Sequence, residues 1–357
     1  MRMLVMLICT YSINKKGFFF MRQYYLIKYW FIIITSRISE TLIIKFINDI
    51  IAFDRKQLML LRPTLLVHPR SSNNCITWNR ILIVLFIYTI IYHITRWYIM
   101  PPITNDFPTI AFYLFMDPNM LDMVIVNGGC IFIHSVASRF CALNDGWKRL
   151  AVGLLATNDD EWTQSEITMS IESIRLLHAD LCEIINVFSL GYGMVLLGYF
   201  TLSFISLLMF TYLYFAIGYP ISDTSFTAII VWCLPLFIRY SQFGIFHISI
   251  LVNSSFANEK KREIISYLRS CRISNLPTHT KLQIKMFMNQ MPEFESNEMS
   301  AYGIFNINLN LVLKNLILLF AGILTLIQMK DHPSITRLSK VVMANVKMEY
   351  LKNYTHS

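Results

Sequence analysis

Charged residues are scarce in this chain: Asp, Glu, Lys and Arg make up 15% of its 357 residues, whereas hydrophobic types make up 55%. An ordinary soluble domain has about 25% charged residues, which cover its surface. The shortage argues against a lone soluble domain, and the apolar excess argues against a disordered chain. With 12 glycines and 11 prolines, collagen-like and low-complexity classes are excluded too. A polytopic membrane protein remains.

Sequence motifs of enzymes and metal sites are missing as well. The seven cysteines are scattered without a C-x-x-C pair, so they indicate neither a zinc site nor a disulfide framework. The sequence has no Walker loop, G-x-S-x-G or H-E-x-x-H pattern. We therefore predict no enzymatic activity, catalytic residue, metal or cofactor. The net charge of +9 does not indicate nucleic-acid binding, because the basic residues cluster between apolar runs, as membrane topology requires.

Long apolar runs are what the sequence has in place of charge. Two poorer runs near the N-terminus contain charges such as Lys28 and Asp49. Since about 20 residues cross the hydrocarbon core, we predict an all-α polytopic membrane protein with seven transmembrane helices. The opening MRMLVMLICTY mimics a short signal peptide but lacks an A-x-A-like cleavage site, so cleavage is not expected. The runs, poorer ones first, cover residues 18–35, 39–53, 81–95, 121–141, 184–222, 224–256 and 299–329.

The charges between the runs predict the orientation, because cytoplasmic loops are rich in Lys and Arg. Segments 55–80 and 258–290 are basic, whereas segment 100–120 has neither Lys nor Arg. With two spans before Ile81, this places the N-terminus in the cytoplasm and the C-terminus outside the cell. A G-protein-coupled receptor has the opposite orientation, and the chain lacks its D-R-Y and N-P-x-x-Y patterns. That receptor class and a small-molecule transporter stay as the alternatives.

The last run, Ala301–Met329, resembles the signature of the insect gustatory receptor family. A Gly-Ile-Phe sequence at 303–305 is followed by a polar turn and then by a Leu-rich stretch. This stretch ends in five mostly apolar residues, 323–327, followed by Gln328. Ala321 and Gly322 replace the usual Thr-Tyr, Thr325 interrupts the apolar five, and Met329 replaces Phe. Two further resemblances support the family, namely the pattern Arg175, His178 and Leu181 before the fifth span and the amphipathic helix Asn258–Leu268 before the last span.

The resemblance implies a gustatory or odorant receptor that is itself a ligand-gated cation channel. It implies a homo- or hetero-tetramer of related subunits in the plasma membrane of a sensory neuron dendrite, embedded in the lipid bilayer and gated by a small-molecule tastant or odorant. The last helix would line the central pore. We expect Leu324, Ile327 and Gln328 to face that pore, with Leu324 as a hydrophobic constriction one turn before Gln328.

Aromatic residues make up 14% of the chain. Those in the outer halves of the spans either form interfacial belts or line an apolar ligand pocket. We take Tyr92, Phe204 and Trp232 as candidate ligand contacts. An acidic segment at 146–183 is expected to pair with the basic segment 258–290, within or between subunits. The predicted regions are spans one to six with that acidic cytoplasmic segment (1–257), cytoplasmic anchor helices (258–300), the pore-forming helix (301–329) and an extracellular amphipathic tail (330–357).

Overall fold

The computed structural model describes residues 19–61, 83–92, 94, 118–155, 163–217, 226–270, 276–295, 298–328 and 333. Within these ranges the chain is almost entirely helical. The elements are α1 (Phe19–Ile38), α2 (Glu40–Leu60), α3 (Ile83–Tyr92), α4 (Pro118–Leu155), α5 (Gln164–Ile217), α6 (Phe226–Ser270), α7 (Thr278–Glu295), β1 (Ser300–Ala301), β2 (Phe305–Asn306) and α8 (Asn310–Gln328).

Two stretches of the described chain are long and apolar enough to cross a membrane, Leu121–Ala151 and Gln164–Thr211. Helices α4, α5 and α6 contain 38, 54 and 45 residues. At 1.5 Å per residue their lengths are about 57, 81 and 68 Å. The hydrocarbon core is only about 30 Å thick, so each helix extends well beyond it. Helix α5 accordingly begins far ahead of the apolar run that starts at Ile184.

The core lies where α4, α5 and α6 meet. On α4 the fully buried residues Val126, Ile133 and Phe140 recur every seven residues, which places them on one face of the helix. Aromatic rings connect this core to the N-terminal helices, since Phe46 of α2 lies 5.4 Å from the ring of Phe188 on α5. The bundle has two ends, which we call the Asp122 end and the Glu263 end after one residue at each.

Helices α1 and α2 follow each other with no reversal of direction. Ser39, between them, has right-handed helical dihedral angles of φ −86° and ψ −3°. Its N–H donates to the Thr35 carbonyl at 3.0 Å, and its own carbonyl accepts from the Ile43 N–H at 2.9 Å. The hydrogen-bond pattern of an α-helix therefore continues through Ser39.

Ion pairs show that this N-terminal segment crosses the bundle once. Lys28 on α1 pairs with Asp122 near the start of α4, while Asp54 on α2 pairs with Arg139 further along α4. Two spans before residue 54 would need a non-helical turn between them, so that prediction is wrong. A cytoplasmic N-terminus requires two crossings before Ile81. With a single crossing, the start of α1 lies at the Asp122 end of the bundle. The predicted count of seven spans included these two runs separately, whereas the described helices provide one N-terminal crossing.

A short β-hairpin precedes the last helix. Ser300 pairs with Asn306 and Ala301 with Phe305, antiparallel. At the turn, Tyr302 and Gly303 have positive φ angles of 55° and 73°. Such left-handed residues end a helix, and glycine takes this conformation without steric cost. The helix predicted over 301–329 therefore begins only at α8, after the hairpin.

The hairpin is attached to both neighbouring long helices. The Tyr302 N–H donates to the Ser189 carbonyl of α5 at 3.1 Å. From α6, the Ser254 hydroxyl donates to the Ile307 carbonyl at 2.7 Å. Because α8 follows directly, its starting position is determined by α5 and α6.

The predicted region boundaries differ from the helix ends. The boundary between residues 257 and 258 lies inside α6, which continues through it. The segment predicted at 146–183 belongs partly to the end of α4 and partly to the start of α5. The predictions for the opening stretch 1–18 and for the tail 330–357, apart from residue 333, fall outside the described residues.

Candidate ligand pocket and pore helix

A small cavity lies among α1, α4, α5 and α6 at the Asp122 end. Its volume is about 30 Å³, which is room for about two water molecules. Within the described ranges, no three His, Cys, Asp or Glu side chains are placed to hold a metal ion. The cavity is lined by Lys28, Asp122, Tyr199, Ser203, Ser206, Leu207, Phe210, Gln242, Phe243 and Phe246.

A buried ion pair forms part of the cavity wall. Lys28 Nζ lies 2.7 Å from Asp122 Oδ2, and the two side chains are 4% and 9% exposed. Lys28 also donates to the Ser203 hydroxyl at 3.2 Å and lies 5.7 Å from the centre of the Tyr199 ring, a cation–π distance. Removing one charge would leave the other buried and unbalanced, at a cost of about 3–5 kcal/mol. The pair connects α1 to α4 and balances the charge of the wall.

Aromatic rings form another part of the wall. Phe243 of α6 stacks on His247, with ring centres 3.8 Å apart. Phe246 lies edge-to-face against Tyr88 of α3 at 6.2 Å. Packing behind the rings holds these two phenylalanines in place. The cavity thus combines a few polar groups with an apolar surface, as small-molecule sites do.

Helix α8 has a largely uncovered apolar surface. Leu324 is 44% exposed, and Gln328 is exposed as well. These two residues are four positions apart and share a face. The side chain of Ile327 lies outside the described ones. A surface this apolar must contact lipid or protein. Further large exposed side chains on this helix are Leu313, Leu316, Ile317, Leu318 and Phe320.

A polar cluster connects α4 to α6 at the Glu263 end. The Glu263 carboxylate lies 3.1 Å from Lys148 Nζ and 2.9 Å from Lys260 Nζ, and it accepts from the Tyr267 hydroxyl. Burial raises the pKa of Glu263, but the hydrogen bonds from Tyr267, Lys260 and Lys148 together outweigh it and lower the pKa to about 2. The resulting stabilisation is present above the unfolded pKa and is lost only as the pH falls towards the folded value.

The acidic and basic segments pack together, and the pairing of their charges, within or between subunits, stays a prediction. Helix α5 contacts α7. The Lys148–Glu263 ion pair joins the segments with the opposite polarity. Asp180 of the acidic segment pairs instead with Lys56 of α2 at 2.5 Å. Among the described ion pairs, the sequence charge totals predicted the contact between the segments but not these two partners.

A family model described as 7tm Chemosensory receptor matches residues 5–332. The chain belongs to this chemosensory receptor family. No curated protein matches the chain. Membership confirms the resemblance seen in the last apolar run, and the family is one of helical membrane receptors for small chemical ligands rather than of enzymes.

Two of the predicted ligand contacts of this chemosensory receptor, Tyr92 and Phe204, lie around the cavity rather than in its wall. Tyr92 is buried behind it, with its ring 6.4 Å from that of Tyr88, the residue that contacts Phe246. Phe204 is half-buried and is not among the lining residues. The side chain of Trp232, on α6, lies outside the described ones. The structure thus leaves these assignments as predictions.

The polar residues of the receptor's cavity were missed at the sequence level. In the sequence, Lys28 lies within the first of the poorer runs, and Asp122 lies at the start of the run 121–141. A usable signal was present, because an ionisable residue within an apolar run usually marks a functional site and has a partner. For Ser203 and Gln242 there was no such signal, since only the packing of α5 against α6 shows that both line the same cavity.

Proposed function

We propose that this protein is a gustatory-type receptor that acts as a ligand-gated cation channel. The observation that supports it best is helix α8, whose large apolar side chains are uncovered in a single chain. Four related subunits, identical or different, would bury this surface around a central pore. Leu324 and Ile327 would form the apolar lining and Gln328 the polar mouth, since its amide can replace part of an ion's hydration shell.

The tastant or odorant is proposed to bind in the cavity that contains Lys28 and Asp122. Tyr92, Phe204 and Trp232 would form a surrounding layer. A volume of about 30 Å³ is well below the roughly 300–1,000 Å³ of ligand pockets, so binding has to expand the cavity. The ligand opens the pore only if it binds the open state more tightly than the closed one.

The orientation follows from the loop charges. The Glu263 end, with the basic segment 258–290, is proposed to be cytoplasmic and to belong to the anchor helices, 258–300. The Asp122 end then faces outwards, and so does the tail 330–357. This arrangement suits a multi-pass protein of the plasma membrane, in a sensory neuron dendrite.

Whole-cell recording tests the channel function. The receptor is expressed alone and with candidate co-receptors, and a ligand panel is applied with GDP-β-S in the pipette. A cation channel gives a ligand-dependent current that persists, and its reversal potential shifts when external sodium is replaced. Loss of the current under GDP-β-S would favour a G-protein-coupled receptor. A current that follows the ligand's own gradient would favour a transporter. Subunit counting by photobleaching tests the tetramer.

Glycosylation is expected to report the orientation. The sequon Asn353-Tyr354-Thr355 lies in the tail and should carry a glycan if the tail is outside. The sequon beginning at Asn253 should not, because Asn253 is fully buried and donates to the Cys130 carbonyl at 2.8 Å. Glycosidase digestion should shift the mass of the wild type and of Asn253→Gln but not of Asn353→Gln. A glycan on Asn253 alone would invert the orientation.

A further inference from the structure

We propose that the Lys28–Asp122 pair sets the charge of the ligand, so that the cavity accepts small net-neutral molecules and rejects amines and carboxylates. The accepted molecule has an amide or hydroxyl head and a short apolar body. This inference rests on the proposed function in one respect, namely that the cavity is the ligand site. It does not depend on the receptor being a channel.

The charge balance of the cavity supports this preference for neutral ligands. Lys28 and Asp122 are the lysine and the carboxylate of its wall, and they lie 2.7 Å apart with both side chains almost fully buried. A ligand with a single charge would have to displace Lys28 or Asp122 from the pair in order to bind the remaining residue. The displaced member would then stay buried and lose the counter-charge that lies 2.7 Å away, which is costly in a low-dielectric site. A neutral ligand leaves the pair intact.

The rest of the wall suits a neutral polar head. Ser203, Ser206 and Gln242 add two hydroxyl groups and an amide to the cavity, and these can both donate and accept hydrogen bonds. Phe210 and Phe243 add apolar rings for a hydrocarbon body. With a volume of about 30 Å³, the present cavity fits the head, and the cavity has to expand to admit the body.

Removing one charge should therefore reverse the preference. Lys28→Met removes the cation beside Asp122, and a ligand ammonium can take its place. Asp122→Asn removes the anion beside Lys28, and a ligand carboxylate can take its place. Each variant should gain a ligand class that the wild type rejects, and a merely structural ion pair predicts no such gain.

Three probes with the same carbon skeleton test this: isobutyramide, isobutylamine and isobutyrate. Binding is measured as the concentration-dependent rise in melting temperature of the purified receptor in nanodiscs, because a ligand that binds only the folded state stabilises it. We expect the wild type to bind the amide at least about tenfold more tightly than either ion, or about 1.4 kcal/mol. Lys28→Met should prefer the amine, and Asp122→Asn should prefer the carboxylate.

A matched control removes an ion pair outside the cavity. Asp54→Asn breaks the Asp54–Arg139 pair between α2 and α4, and it should keep the wild-type preference for the amide. The wild-type comparison needs no substitution, so it decides the matter even where a variant fails to fold.

Four results would overturn the inference: ions binding the wild type as tightly as the amide, a folded single-charge variant that keeps the amide preference, a changed preference in Asp54→Asn, or no binding of any probe to any of these proteins. The proposed channel function fails separately. If the amide binds selectively but no ligand produces a current, the inference stands and the channel does not.

Discussion

Gly193→Ala is expected to displace the hairpin before α8 and to lower the stability of the receptor. A Cβ atom at residue 193 would lie 2.7 Å from the Ser300 carbonyl oxygen and 2.8 Å from the Tyr302 amide nitrogen. Both atoms are backbone, so no side chain can rotate away and the hairpin itself has to shift. Forcing a methyl group into a packed site costs about 1–3 kcal/mol. The apparent melting temperature of the purified receptor should fall by several degrees.

Gly244→Ala is the matched control. Gly244 also lies inside a long helix, α6, but a Cβ there meets nothing within 4 Å. Alanine is the better helix former by about 1 kcal/mol, so this variant should melt at the wild-type temperature or slightly above it. Equal melting of Gly193→Ala and the wild type would show that the hairpin does not lie against α5.

The membrane class and the family were predictable from the sequence because they depend on composition and on one local pattern. Long apolar runs need no knowledge of contacts. The Gly-Ile-Phe sequence near the start of the last run and Gln328 near its end are likewise local sequence patterns. The family match over residues 5–332 confirms that inference.

The N-terminal helices were misjudged for a physical reason. The two runs were separated at residues 36–38, where Ser36 and Arg37 interrupt the apolar stretch, and each run contains a further charge, Lys28 or Asp49. Such charges do not break a helix when partners are available, and Lys28 has Asp122. At the start of the second run, Ser39 keeps helical dihedral angles, so the helix continues from the first run into the second.

The cavity could not be predicted because it depends on four helices that are far apart in sequence. Lys28 and Ser203 meet only because α1 and α5 pack side by side. The same long helices hold the hairpin, since Ser189 of α5 and Ser254 of α6 bind its backbone. From Tyr199 to Ser189 is about 15 Å along α5 at 1.5 Å per residue. One rigid helix thus contacts both the cavity and the segment that positions α8.

Leu324→Ala is expected to raise the current measured without ligand. If Leu324 forms the narrow apolar ring of the proposed pore, a smaller side chain widens that ring and lets water and ions enter. A shift of about 1.4 kcal/mol towards the conducting state corresponds to about a tenfold change in the equilibrium. Surface expression should stay near the wild-type level, because Leu324 is 44% exposed in the single chain. Patch recording with surface biotinylation measures both quantities.

Leu318→Ala controls for a general effect of shortening a leucine on α8. Leu318 is 55% exposed, and at 3.6 residues per turn it lies about 120° around the helix from Leu324. Leu318→Ala should leave the basal current unchanged.

Gln328→Glu, on the Leu324 face, adds a charge at the proposed mouth and should increase the preference for cations or introduce block by divalent ions. If Leu324→Ala and Gln328→Glu both conduct and select as the wild type does, this face of α8 contacts lipid or a neighbouring helix, and the pore must be formed by other residues.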